Sequence, residues 1–259
     1  MAIPTTIAAT TANQLVPATE DLLCSTTESP WLIQSSMMED VNQTPVKLAP
    51  KGQRSYRQFC ALARALDVVG ERWSLLIVRE LLPGPMRYTD LKGSLAGIAT
   101  NLLASRLRTL EDNGIVERQL DRAGVVYGLT SWGAELREPM EALGRWGTPL
   151  LASGRGDDTF QPRWLTLALP ALLRGTTANP PVELGIETDG SLMVLRVDAD
   201  GPSAHIRPGD QPESVLTASS DVVVALAAGG MTIDQAVDSG EFTGEPDILR
   251  TIFARGTGG

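Results

Sequence analysis

The chain has 259 residues, 42% hydrophobic and 20% charged, which suits a core-forming protein of two domains. One histidine, His205, and two cysteines, Cys24 and Cys60, exclude a disulfide framework and a zinc site of the ordinary His/Cys kind. The formal net charge of −9 is unevenly spread: residues 51–155 hold 15 basic and 11 acidic side chains, whereas residues 156–259 hold 6 and 15. The middle segment alone has the sign that suits phosphates.

Residues 1–50 are rich in Thr, Ala, Ser and Pro and show no sustained period, the pattern of a disordered or loosely ordered tail reaching about residue 53. Met1 is not followed by a basic region and a long apolar run, so no secretory signal is expected. Translation starting at Met37 or Met38 is an alternative that an intact mass would decide. No run of about 18 apolar residues is present to span a membrane.

Helical spacing begins after Cys60, where Ala61, Ala65, Leu66 and Val69 mark one buried face. A second apolar helix is predicted over 73–81 and ends at Pro83-Gly84-Pro85, since proline cannot continue it. A short helix capped by Thr89 or Asp90 follows, with Gly97 in the turn after it. The next helix, 100–113, buries Leu103, Leu107 and Leu110 and closes at Asn113-Gly114, where glycine suits a left-handed backbone. Branched residues over 115–120 and 125–129 flank a turn at 121–124 and predict a β-hairpin. Thr130 or Ser131 then caps a long helix to about residue 152, with Leu136, Met140, Leu143 and Trp146 on its apolar side.

Beyond a linker at 154–158 the pattern changes. An apolar helix over 163–174 contains Pro170, and strands over 182–186 and 192–197 flank the turn signal Asp189-Gly190. Strands at 204–207, 215–217 and 241–244 and helices at 221–228, 232–238 and 247–254 complete a mixed α/β segment.

Three helices and a hairpin can read DNA. A helix fits the major groove, and two helices joined by a tight turn seat the second one there. On the 100–113 helix, Asn101, Ala104, Ser105 and Arg108 point away from Leu103, and Thr100 lies at the N-terminal edge. Asn pairs with adenine and Arg with guanine, while Arg118 and Arg122 of the hairpin are placed for phosphates. Any surface helix also exposes such side chains, so periodicity alone leaves both readings open. Arg106 lies near the apolar edge, placed either to anchor the fold or to touch DNA.

Several ordered pieces carry a resemblance: Cys60, Gly70-Glu71-Arg72-Trp73, Arg87-Tyr88-Thr89-Asp90-Leu91, Asn101-Leu102-Leu103 with Arg106-Leu107, Asn113-Gly114-Ile115-Val116, and Leu129-Thr130-Ser131-Trp132-Gly133. From about residue 60 to 151 the chain resembles the winged-helix regulators of the HxlR family. The resemblance implies a bacterial, cytoplasmic transcription factor that dimerises through terminal helices and binds inverted repeats of double-stranded DNA. It adds Thr89 to the candidate DNA contacts. Cys60 matches a cysteine that some members use to sense oxidants or electrophiles, and it precedes a helix, where a thiol can become reactive. Packing beside Phe59 and Leu62 is the structural alternative for it.

A second resemblance rests on residues 229–246, Gly-Gly-Met-Thr-Ile-Asp-Gln-Ala-Val-Asp-Ser-Gly-Glu-Phe-Thr-Gly-Glu-Pro. Over about 162–255 the chain is similar to the sterol-carrier-protein-2-like fold, which implies an apolar cavity for a hydrophobic small molecule. Trp164, Leu167, Leu172, Met193, Met231, Phe242 and Phe253 are the candidate lining, and each could equally serve the core. His205 beside Ser203 lacks the strand-elbow-helix context of an activated serine, and Asp198, Asp200 and Asp210 lack calcium-loop spacing.

The expectation is an α+β protein that is not an enzyme and needs no cofactor or metal. It comprises the tail at 1–53, a winged helix-turn-helix domain at 54–154, and a smaller mixed α/β domain at 160–259. Its partners are DNA, a second copy and a hydrophobic effector, with no membrane. The alternatives are a constitutive DNA-binding protein whose C-terminal domain makes protein contacts, or a thiol sensor acting through Cys60.

Overall fold

The computed structural model describes residues 55–254 apart from 123, 207, 208, 210 and 211. The expected tail, Cys24, the alternative starts at Met37 and Met38, and Asp210 lie outside the described residues. No described helix is long and apolar enough to cross a membrane.

The first half opens with α1 (Ala61–Val69), α2 (Ser74–Leu81), α3 (Tyr88–Ser94) and α4 (Thr100–Asp112). The hairpin β1 (Val116–Asp121) and β2 (Gly124–Leu129) follows, then α5 (Ser131–Ala134) and α6 (Arg137–Gly147). Ile77, Val78 and Leu81 of α2, Leu91 and Leu95 around the end of α3, and Leu103, Leu107 and Leu110 of α4 form one buried cluster closed by Ile115, Val116 and Met140. The three leucines of α4 recur at helical spacing, so a single stripe fixes the helix on the core and leaves the opposite face to solvent. The hairpin is antiparallel, with Val116 opposite Leu129 and Asp121 opposite Gly124. Met86, just before α3, pairs with Tyr127 and adds a bridge to the hairpin's base.

Four local expectations need correction. Ala61, Ala65 and Leu66 of α1 are exposed, and it is Ala63 and Val69 that are buried. The helix is amphipathic, but among the described residues Ala61, Ala65 and Leu66 are left exposed. The helix expected from 130 to 152 is broken. Thr130 does cap it, yet α5 stops at Ala134, α6 starts at Arg137, and a 3-10 turn, Thr148–Ser153, replaces its end. The break lets α5 press Gly133 against the Ile115 carbonyl, where a Cβ would collide. On α6, Met140 is buried but Leu143 and Trp146 are exposed. Thr89 and Asp90 lie inside the first turn of α3, whose N-cap position is Arg87.

The second half begins with a 3-10 turn, Pro162–Trp164, leading into α7 (Leu165–Leu172). Strands β3 (Val182–Thr188), β4 (Ser191–Asp198), β5 (Gly201–His205), β6 (Val215–Thr217) and β7 (Glu241–Thr243) form one sheet of order β5-β4-β3-β6-β7. Only the β3–β6 pair is parallel. Asp189 and Gly190, both at positive φ, turn β3 into β4 as the dipeptide predicts. Helices α8 (Ser220–Ala228), α9 (Ile233–Asp238) and α10 (Pro246–Phe253) complete the fold. Register aligns Leu184 with Leu195, Ile186 with Met193 and with Leu216, and Leu195 with Ala204, so one face of the sheet is continuously apolar. Leu165 and Leu169 of α7, Val223 and Leu226 of α8, and Leu249 and Ile252 of α10 bury that face in a second core.

Candidate nucleic-acid interface

Helix α4 is held at both ends. The Tyr88 hydroxyl donates to the Thr100 carbonyl at 2.7 Å, and Lys92 Nζ donates to the Ile98 carbonyl at 2.6 Å, fixing the turn between α3 and α4. At the other end Asn113 is buried, its side-chain amide donates to the Thr109 carbonyl, and Gly114 takes the left-handed φ of 72°. Thr130 Oγ1 donates to the Gly114 carbonyl at 2.6 Å and accepts from Gly133 N–H at 3.0 Å. One hydroxyl therefore joins the end of α4 to the start of α5.

So held, α4 presents Thr100, Asn101, Ser105 and Arg108 as exposed residues on one side, with Ala104 half-buried among them. Thr89 of α3 is exposed and donates to Asp90 Oδ1. Arg106 points elsewhere. It pairs with Glu71, and its Nε donates to the Arg72 carbonyl at 3.2 Å, so it ties α4 to the turn before α2. In the hairpin, Arg118 pairs with Glu111 of α4 at 2.9 Å and lies over the Tyr127 ring, while Arg122 is exposed at the turn. Ala99, at the N-cap of α4, makes no side-chain cap bond, which leaves the first-turn N–H groups without that partner.

The candidate effector residues are scattered. Met193 is buried in the sheet core, with Met231 and Phe242 half-buried around it. Leu167 packs against the helix-turn-helix core, and Trp164 donates its indole N–H to Glu80 of α2 at 2.7 Å. Leu172 and Phe253 border an open groove of about 550 Å³ whose other walls include Arg174, Thr176, Thr177, Thr251 and Ile252. His205 ends β5 opposite Val194. Among the described residues no three His, Cys, Asp or Glu side chains gather as a metal ion requires. Cys60 is exposed at the N-cap of α1.

Glu80 was not among the residues singled out from the sequence. It is fully buried, and its Oε1 accepts from Arg79 Nη2 at 2.8 Å and from Trp164. Arg163 Nε stands 3.7 Å from its Oε2, and Arg79 stacks 3.7 Å from the centre of the Trp164 ring. Burial pushes the Arg79 and Arg163 guanidinium groups below the usual arginine range, opposed by the Glu80 carboxylate. The available signal was spacing: Glu80 shares a helical face with Ile77 and Leu81, both buried.

A helix-turn-helix with a stabilised second helix, followed by a two-stranded wing, defines the winged-helix class of DNA-binding regulators. The family model for the HxlR-like helix-turn-helix matches residues 68–154. The HTH-type transcriptional regulator YodB of Bacillus subtilis is 33% identical over 93 residues, covering 35% of this chain and 83% of that protein. An uncharacterized HTH-type transcriptional regulator of Synechocystis is 34% identical over 96 residues, covering 36% of this chain and 71% of that protein. The solved structure of the reduced form of YodB aligns at 32% identity and TM-score 0.33, covering 38% of this chain and 99% of that one. The chain belongs to the HxlR-like helix-turn-helix family and is a transcriptional regulator of that type. No catalytic family is indicated by these comparisons.

Proposed function

We infer that this regulator binds an inverted-repeat operator as a homodimer, reading bases with α4 and touching the backbone with the wing. The observation that carries the reading is the division of labour on α4. Leu103, Leu107 and Leu110 hold it to the core, Arg106 anchors it, and Thr100, Asn101, Ser105 and Arg108 are left to solvent. The uncapped first turn adds backbone donors suited to a phosphate oxygen. Thr89 and Arg122 flank the helix for further phosphate contacts. Arg118 would have to exchange Glu111 for phosphate, so Arg122 is the stronger wing contact.

Dimerisation is supported by large apolar side chains that are exposed among the described residues: Phe59 just before α1, Leu62 on it, and Leu143, Trp146, Leu150 and Leu151 on and after α6. Half-sites one turn apart, about 34 Å, are read together only if the dimer holds its two α4 helices at that spacing. In the effector reading, residues 160–259 form a sterol-carrier-like domain that binds a hydrophobic small molecule at the groove beside Leu172 and Phe253. The ligand acts by preferring one dimer state. A second reading rests on Cys60, whose exposure at a helix N-cap leaves the sulfur open to oxidants or electrophiles. Place of action in either case is the cytoplasm.

Fluorescence anisotropy across a salt series tests the function, with DNA from the chain's own upstream region against a scrambled duplex. Specific binding with a log–log slope of several, about 0.9 per phosphate contacted, is expected. Equal and weak binding of both duplexes, persisting after selection from random sequence, would make the winged helix a protein-contact module.

A further inference from the structure

Arg163 and Trp164 lie beyond the segment that the family match covers, yet both reach back into it. Arg163 Nη2 donates to the Glu80 carbonyl at 2.9 Å, and Nη1 lies 2.9 Å from the Met86 sulfur. Met86 is the residue that bridges to the wing: its N–H donates to the Tyr127 carbonyl at 2.9 Å, and Tyr127 N–H donates back at 2.8 Å. One guanidinium therefore grips the last turn of α2 and the strand residue that anchors the wing's base. Between those two points, Arg137 of α6 donates to the Leu82 carbonyl at 3.4 Å and to the Thr166 carbonyl at 3.1 Å. Thr166 in turn donates to the Arg163 carbonyl at 2.7 Å. The stretch from Glu80 to Met86 is held at its start, middle and end by groups tied to the start of α7.

The electrostatics favour the hold. A fully buried carboxylate is strongly disfavoured unless paired, and Glu80 has Arg79 within its own helix and Arg163 and Trp164 from outside it. The rigid planar fork of Arg163 reaches the Glu80 carbonyl and the Met86 sulfur with two separate nitrogens while its charge stays 3.7 Å from the carboxylate, a span that the single ammonium nitrogen of a lysine does not reproduce.

We propose that Arg163 and Trp164 are positioning residues of the DNA reader, holding the wing and α2 in register from the C-terminal half of the chain. This rests on the DNA-reading function inferred above. The sheet-bearing half is then a structural part of the reader, and any displacement of α7 moves the wing.

The test uses the full chain with Arg163→Met, Arg163→Lys and Trp164→Phe. Backbone hydrogen exchange is followed at Met86 and Tyr127, with Leu107 of α4 as internal reference. Arg163→Met is expected to speed exchange at Met86 and Tyr127 at least tenfold relative to Leu107, Arg163→Lys to fail as a rescue, and Trp164→Phe to act in the same direction. On a duplex selected by the wild-type chain from random sequence, Kd is expected to rise several-fold more than on a scrambled duplex. Exchange at Met86 and Tyr127 that stays unchanged, or moves only in step with Leu107, would overturn the proposal. If the Met variant does not fold, the Lys and Phe variants decide by the same ratio. A wild-type chain that selects no duplex would overturn the DNA function, while the exchange ratio would still settle what holds the wing.

Discussion

The phenol of Tyr88, in the first turn of α3, donates to the carbonyl of Thr100, in the first turn of α4, at 2.7 Å. The two helices of the turn are therefore registered at their N-terminal ends, the ends proposed above to meet DNA. Tyr88→Phe removes only this bond. A loss of about 1 kcal/mol in unfolding free energy is expected from urea titration. Affinity for a selected duplex should fall several-fold while affinity for scrambled DNA holds. An equal fall on both duplexes would show that the bond does not set the position of α4.

On α4 itself two kinds of arginine should separate experimentally. Arg108 is exposed, whereas Arg106 is tied to Glu71 and to the Arg72 carbonyl. Asn101→Ala and Arg108→Ala should each weaken specific binding by about 1–3 kcal/mol without moving the denaturation midpoint. Arg106→Ala should lower the midpoint. A variant of Arg108 that unfolds early but binds DNA normally would reverse these roles.

The exposed face of α4 was legible because it depends on local period, whereas the anchoring of Arg106 to Glu71 and the Arg72 carbonyl was not. The spacing of Leu103, Leu107 and Leu110 fixes which face of α4 is free, and the wing follows from branched residues around a turn. The same holds for β3 and β4 around Asp189-Gly190. What escaped depends on distance in the chain. Glu80 and Trp164 are 84 positions apart, and no window of sequence shows that the indole donates to the carboxylate. Trp164 was expected in an effector cavity for the same reason: an aromatic beside an apolar helix gives no sign of which core it serves. The apolar side of α1 failed differently. Ala61, Ala65 and Leu66 do share a face, but periodicity says only that a face is apolar, and among the described residues these three stay exposed.

The exposed apolar residues on and after α6 yield a prediction about assembly. Trp146 is 75% exposed and stands with Leu143, Leu150 and Leu151. A charge there should disfavour burial against a second copy while leaving the monomer's core intact. Sedimentation is expected to give a dimer for the parent and the 27.6 kDa monomer for Trp146→Glu. Far-ultraviolet circular dichroism should be unchanged. A dimer that persists in this variant would place the interface elsewhere.

Thr130 makes a stability prediction with an internal control. Its hydroxyl both caps α5 and donates to the Gly114 carbonyl. Thr130→Ala should cost about 1–2 kcal/mol in chemical denaturation, and Thr130→Ser, which keeps the hydroxyl, should recover most of that. If serine were as damaging as alanine, the methyl group's packing and not the cap would be the cause.

Asp67 of α1 predicts a pH dependence at the edge of the described chain. Its carboxylate accepts from Tyr56 N–H at 2.9 Å and from the Ser55 hydroxyl at 2.7 Å, and these bonds, with the nearby Arg64 cation, hold its pKa below the ordinary carboxylate value. A lowered folded-state pKa means that the attachment is fully present above the unfolded value of about 3.9 and is lost as pH falls through the folded value. The Tyr56 amide resonance should therefore titrate with a midpoint below about 3.9. In Asp67→Ala the resonance should be flat across the same range. A midpoint at or above the ordinary value would mean that the carboxylate gains nothing from Tyr56 and Ser55, and that residues 55–56 are held to α1 by something else.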